Sequence, residues 1–342
     1  MRWRWLACLP WLALPVAAAT PELVLRAEHP VAGIPAGNLS GLERCGGVWW
    51  ALSDRDDDRL YRLDTGAPEW RAVPETFAAP EPPDTGLPTH LRAAARARGA
   101  LLDGLLDPEG LACDARGNRY VVSESFAAVL VVDPAGDARW LPLPAAVVAG
   151  ARARGLLRQV NALFEGIAVD GGGTTLWLAA ERQGRGLVRV DLAGGDCAEG
   201  CVLVAEDGDI QPPAALGRDP LPADFSALSL FGGKLFTLER LAHRLCRRDA
   251  ETGAVERCWS YAATALADHR RYDSRYGLAE ALWLDEHGAF IGLDNKQLAR
   301  LDGEDRPLVW HFAAPAGGWL DSASTPEPNH GGQPPAVPTE SP

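Results

Sequence analysis

The chain has 342 residues, 47% of them hydrophobic, and a formal net charge of −13. That is enough apolar material for a full core, and nothing in the composition marks a coiled coil or a collagen-like polymer. So acidic a chain argues against nucleic acid or an anionic membrane as partner, and it is compatible with a cation site.

In chain order, residues 1–19 (MRWRWLACLPWLALPVAAA) carry two arginines, an apolar run and a small-residue end. This pattern predicts a secretory signal peptide cleaved near Ala19–Thr20, and with it a periplasmic or secreted protein. Cys8 admits a lipoprotein reading, but most of the apolar run follows it rather than preceding it. No later apolar run approaches a membrane span. Setting Cys8 aside, the seven cysteines leave six, an even number suited to an oxidising compartment. Cys197 and Cys201 flank a short Gly-rich loop, and Cys246 and Cys258 sit on neighbouring strands. Cys45 and Cys113 hold nearly the same place in consecutive repeats. The expected pairs are therefore Cys45–Cys113, Cys197–Cys201 and Cys246–Cys258, and no CxxC or His/Cys spacing points to zinc.

After a strand at Glu22 to Val31, one unit recurs five times: SGLERCGGVWWALSD from Ser40, PEGLACDARGNRYVVSE from Pro108, EGIAVDGGGTTLWLAAE from Glu165, SALSLFGGKLFTLE from Ser226 and EALWLDEHGAFIGLD from Glu280. Each copy is a strand, a Gly-containing or polar turn, and a second strand that stops on an acid. Two further strands follow each copy: RLYRLD and EWRAVPE, AVLVVDP and ARWLPLP, GLVRVDL and CVLVAED, HRLCRRD and ERCWSYA, and QLARLDG and PLVWHFA. A four-stranded antiparallel meander repeated in this way predicts an all-β fold, a β-propeller. A sandwich of unrelated hairpins would not repeat the same chemistry at fixed strand positions. Five blades are counted directly, a sixth divergent blade is left open, and the strand at Glu22 to Val31 is expected to close the ring by joining another blade. The propeller domain spans residues 20–321, and residues 322–342, rich in Pro, Ser and Thr, read as a disordered tail. Four inserts separate the blades, and the Ala/Arg-rich stretches in the first two predict short helices.

In a meander the start of the first strand, the end of the second and the link to the next blade share one rim. Glu109, Glu165 and Glu280, with Ser40 and Ser226, are thus expected around one mouth of the channel, beside Asp54, Glu124, Glu181, Glu239 and Asp294. The long inserts cover that mouth, which makes it the functional rim. Converging carboxylates need a neutralising cation or basic groups. Hard oxygen donors suit calcium, with Asn161 and Asn295 adding amide oxygens; the alternative is that each acid caps its own blade. A cation follows most of the acids: Arg55, Arg182, Arg240 and Lys296. The inserts add more, Arg271 and Arg98 among them. Guanidinium forks match phosphate oxygens, so a small phosphorylated substrate fits this chemistry. His90, His243, His269 and His311 share no register and read as surface or loop residues. There is no GxSxG elbow, HExxH or P-loop.

The ordered set SGL with ALSDR, DPEGLA with VSE, FEGIA with AAER, DFSALS with TLER, and AEAL with GLDNK resembles the phytase-like, or esterase-like, propeller family of secreted bacterial proteins. The resemblance covers almost the whole chain after residue 19. It implies a propeller and a calcium-assisted phosphoester hydrolase. In that reading Glu109, Glu124, Glu165, Glu181, Glu239, Glu280, Asp294 and Asn295 supply the metal ligands. Glu109, Glu165, Arg182 and Arg240 act at the reacting group, and Arg55, Lys296 and Arg271 bind substrate. Two other readings compete: a calcium-dependent lactonase-type propeller, with which EGLA and GLDN are compatible, and a non-catalytic propeller that binds a ligand or partner at the same rim. The sequence leaves the oligomeric state open.

Overall fold

The computed structural model describes residues 20–34, 38–102, 104–193, 201–274 and 276–321. The proposed signal peptide, the tail and Cys197 lie outside the described residues. Strand β1 (Leu25–Ala32) precedes the first blade, β2 to β5 (Gly41–Cys45, Val48–Leu52, Arg59–Asp64, Trp70–Thr76). The second blade is β6 to β9 (Pro108–Cys113, Arg119–Ser123, Ala128–Val132, Ala138–Trp140), and the third is β10 to β13 (Phe164–Val169, Thr175–Ala180, Arg185–Asp191, Val202–Glu206). A short ribbon, β14 (Asp209–Ile210) with β15 (Leu221–Pro222), leads to the fourth blade, β16 to β19 (Ala227–Phe231, Lys234–Glu239, Arg244–Asp249, Val255–Ser260). The last blade begins with β20 (Ala279–Leu284), β21 (Gly288–Leu293) and β22 (Leu308–Ala313). Within every blade the strands pair antiparallel in sequence order.

The fourth place in the last blade is filled by β1, which pairs antiparallel with β22 from Leu25 opposite Phe312 to Pro30 opposite Leu308. The same strand continues in parallel pairing onto β5 at Val31 and Trp70. Just before it, Leu23 N–H donates to the Ser260 carbonyl at the outer edge of the fourth blade. One N-terminal segment therefore ties three blades together. This confirms the expected ring closure and corrects one strand assignment: QLARLDG is not a blade strand, because PLVWHFA takes the third place and the N-terminus the fourth. The innermost strands pack in succession, β2 on β6, β6 on β10, β10 on β16, β16 on β20, and β20 back on β2. The ring of described residues thus closes with five blades.

Burial follows from this stacking. Strands β7 and β8, RYVVS and AVLVV, are buried at every position because blades cover both of their faces, so they read as apolar runs rather than alternations. The outer strand β9 is partly exposed throughout. A five-membered ring brings its inner strands very close, and the small residue in EGL, EGI and EAL answers that need. A Cβ at Gly110 would stand 2.6 Å from the Glu165 carbonyl oxygen, and one at Gly166 would stand 3.1 Å from the Ala227 backbone. Helices α1 (Thr89–Leu102) and α2 (Ala146–Ala153) form in the two Ala/Arg-rich inserts, and a one-turn helix, α3 (Ala262–Ala265), follows β19. Cys45–Cys113 joins the inner strands of the first two blades, and Cys246–Cys258 joins directly opposed residues of β18 and β19. Both bonds fit an oxidising compartment. No described helix is long and apolar enough to cross a membrane.

Candidate functional site

Three of the five inner strands carry a glutamate as their second residue, and in each the pairing with the second strand slips at that residue. The register jumps between Pro108 and Gly110, between Phe164 and Gly166, and between Ala279 and Ala281. Glu109, Glu165 and Glu280 are the extra residues of these β-bulges, a device that re-aims a side chain. The two blades that begin with Ser40 and Ser226 pair without a slip. The bulge thus tracks the glutamate, and all three glutamates face one cavity at the loop-rich mouth of the channel.

That cavity holds about 120 Å³. Seven carboxylates line it: Asp54, Glu109, Glu124, Glu165, Glu181, Glu280 and Asp294. Five cations, Arg55, Arg98, Arg182, Arg240 and Lys296, and the Asn161 side chain complete the wall. With every group ionised the wall would carry two negative charges more than positive ones.

The cations are not equivalent. Arg240 is buried and surrounded by acids: it pairs with Glu165 and Asp224 at 3.3 Å each, and with Glu181 and Glu280. Arg240 is therefore a buried counter-ion at the centre of the acids, which differs from the substrate-orienting role the sequence suggested. Arg55, Arg182 and Lys296 keep 33%, 25% and 52% of their side chains exposed, so they can meet an incoming anion. Arg55 lies 3.2 Å from Asp54, Lys296 lies 3.2 Å from Glu280, and Arg182 pairs with Glu181 while donating to the Asn161 carbonyl at 2.7 Å. From α1, Arg98 reaches Asp107 and lies 3.7 Å from Glu124.

Even with these partners the acids are under strain. Burial pushes Glu109 well above the carboxylate range, with Asp54, Glu165, Glu124 and Glu280 adding to the rise. Burial raises Glu165 to about 8 against the pull of Arg240, with Glu280 and Glu124 acting with it. Asp294 is pushed up to about 9 by burial and by Glu280, and Asp54 to about 6 by burial against Arg55. Burial also raises Glu124, although Leu163 N–H donates to it at 3.0 Å. Glu280 is held below its usual range: burial opposes this, but Arg240 and Lys296 outweigh it. The backbone is strained here too. Asp107, Asn161 and Lys296 adopt left-handed φ values of 51°, 62° and 50°, a conformation that non-glycine residues hold only where surrounding structure enforces it.

The donor set fits a hard divalent cation. Oxygens of Asp54, Asp107 and Glu109 lie within 4.8 Å of one another, and Asp54 Oδ1 is buried without a hydrogen-bond partner. An orphaned carboxylate oxygen beside two other acids is an arrangement a cation relieves.

Of the sequence-predicted residues, Glu109, Glu124, Glu165, Glu181, Glu280, Asp294, Arg55, Arg182, Arg240 and Lys296 meet at the cavity. Three do not. Glu239 is wholly buried among Arg185, Arg244 and Arg248, at 3.0, 2.6 and 3.0 Å, which leave it no free oxygen for a metal. Asn295 donates its amide nitrogen to the Leu298 and Asp305 carbonyls at 2.9 and 2.7 Å and does not line the cavity, although its Oδ1 is buried without a hydrogen-bond partner. Arg271 lines a separate small pocket with His243, Tyr261 and Tyr272. His243 itself is buried rather than superficial. Sequence reasoning missed Asp107, Asp224 and Asn38. Asp107 and Asp224 open the motifs DPEGLA and DFSALS, so an acid two residues before the inner strand's first position was the available signal.

The closed ring defines a five-bladed β-propeller whose axial mouth gathers acidic groups that could hold a metal ion. The resemblance read from the repeats is matched, over residues 34–194, by the family model described as phytase-like, esterase-like activity of phytase. No curated protein sequence matches the chain. Among solved structures it is similar to Myxococcus xanthus glutaminyl cyclase, at 14% identity and a TM-score of 0.48 over 86% of this chain and 97% of that one. It is also similar to the PQQ-bound aldose sugar dehydrogenase of Streptomyces coelicolor, at 12% identity and a TM-score of 0.43 over 86% and 100%. For virginiamycin B lyase of Staphylococcus aureus the identity is 12% and the TM-score 0.38, over 82% and 68%.

Proposed function

We propose that the mouth cavity is a divalent-cation site, with calcium the leading candidate, at which a phosphoester is hydrolysed. One observation carries this reading: seven carboxylates face five cations around one small cavity, and three acidic oxygens beside it lie close enough to share an ion. The two uncompensated negative charges equal the charge of one divalent cation. Asp54, Asp107 and Glu109 would hold it.

When bound, the cation supplies positive charge to the phosphoryl oxygens and acidifies water. Arg55, Arg182 and Lys296, at the exposed edge of the cavity, orient the phosphoryl group and stabilise the charge that grows on its oxygens. Arg240 holds Glu165, Glu181 and Glu280 in place from beneath. Glu165, which burial pushes up to about 8 in the ion-free site, can give a proton to the departing ester oxygen. In the full reaction a water oxygen bonds to phosphorus, the ester P–O bond breaks, the alcohol leaves with that proton, and the water's proton refills the carboxylate set.

The test measures phosphate release from a panel of monoesters and phytate by pure protein, with calcium and then with a chelator. Calcium-dependent turnover that Glu109→Gln abolishes supports the reading. No turnover on any phosphoester with calcium present sinks it.

A further inference from the structure

The acidic cavity shares a wall with a second, larger one. Arg182, Arg240 and Lys296 line both. The second cavity holds about 400 Å³, the size range of small-molecule sites. Beyond the shared cations its lining changes character: Pro222, Leu241, Tyr276, Leu278 and Leu298 give it apolar surface, with Gln183 and Ser274 as uncharged polar groups. Among the described residues that line it, every charged group therefore sits on the side facing the acids.

We infer that the site takes a monoanionic or dianionic phosphoryl head joined to an apolar, preferably aromatic, group, with the head at the Arg182–Lys296 wall and the apolar body in the second cavity against Tyr276, Leu278 and Leu298. The inference rests on the phosphoester reading and names its substrate class. A ligand carrying phosphates all around its ring needs cations on every side. Among the described residues they stand on one side only, so a polyphosphate would leave most of its charge facing leucine and proline, where burying an unpaired charge is costly. An aryl or alkyl group leaves nothing unpaired and gains from being removed from water. Tyr276 is 54% exposed and Leu298 part-exposed, so both still have surface for a ligand to cover.

Calorimetric titration with two unreactive phosphonates separates this inference from the catalytic one. The probes are methylphosphonate and 2-naphthylmethylphosphonate, measured on the full chain with calcium, with phytate as a third ligand. The naphthyl compound should bind at least tenfold more tightly than methylphosphonate. Tyr276→Ser and Leu298→Ser should each shrink that gap about fivefold while leaving methylphosphonate binding unchanged. Equal affinity for the two phosphonates overturns the inference, as does phytate binding more tightly than the naphthyl compound with no response to either substitution. If the naphthyl preference holds but no phosphoester is turned over, the catalytic reading fails and the binding inference stands. If phosphoesters are turned over without any preference for an apolar group, the reverse is true.

Discussion

The acid that ends the second strand of each blade meets two opposite environments. Glu239, in the fourth blade, is one carboxylate among three arginines. Burial pushes its carboxyl up, but Arg185, Arg244 and Arg248 more than offset that and hold it below its usual range. Asp54, Glu124, Glu181 and Asp294, at the same repeat position, face a cavity in which acids outnumber cations. Repeat position therefore sets where an acid starts, and its neighbours decide whether it stays charged. A closed, over-neutralised cluster holds a blade together; an under-neutralised one invites a ligand.

The largest effect should come from breaking the closed cluster. Glu239→Gln leaves the buried Arg185 and Arg248 and the part-exposed Arg244 without this carboxylate and should cost about 3–5 kcal/mol in chemical denaturation. Calcium binding should survive in the fraction that folds. Glu109→Gln should do the converse, leaving stability in chelator unchanged or raised, because it removes an acid that burial already penalises. A Glu109→Gln variant as destabilised as Glu239→Gln would erase the distinction between the two regions.

Next in size is the response to the cation itself. Calcium at a hundredfold excess over its Kd should stabilise the wild type by about 2.7 kcal/mol, read as a rise in Tm. Glu109→Gln should lose that rise, and Glu239→Gln should keep it. An equal response in both variants would place the ion elsewhere.

Taken per pH unit, the smallest effect is a slope with pH, and its sign differs between the regions. Asp54, Glu165 and Asp294 have raised folded values, about 6, 8 and 9. They hold protons that the unfolded chain releases near pH 4, so their contribution is present at low pH and is lost as pH rises through the folded values. Glu239 is lowered, so its contribution is present above the ordinary glutamate range and is lost as pH falls through the depressed value. In chelator, stability should fall as pH rises from about 4 towards 9, with the Asp54 share complete near 6 and those of Glu165 and Asp294 continuing to about 8 and 9. Asp294→Asn should flatten that decline, and calcium should flatten it in the wild type. A decline indifferent to both would remove the acids of the mouth as its cause.

Much of this was legible in the sequence. EGL, EGI and EAL marked the inner strands, and the acids after VVS, LAA and IGL marked their partners, because period-two strands and turn residues leave a direct trace in the chain. The ring order followed from that count. Three features were not legible. The bulges at Glu109, Glu165 and Glu280 depend on pairing with another strand, which a linear pattern does not record. Glu239 looked like its counterparts because the arginines that enclose it come from β12 and β18, one of them in a different blade. The place of β1 beside β22 displaced QLARLDG because a free N-terminal strand competes for the same edge, and sequence proximity favours the wrong candidate.

The position of β1 also bears on how the molecule comes into being. Leu25 must wait for Phe312, so β1 stays without its main partner until all five blades up to β22 have been made. Bringing such distant segments together is slow, although the entropic cost grows only gently with length. A chain interrupted before β22 would carry an open sheet edge on each side of the gap, the kind of surface that pairs with other chains. The ring is thus completed late and as a unit, and the acidic mouth, whose wall draws on the first blade and the last, exists only once it has shut.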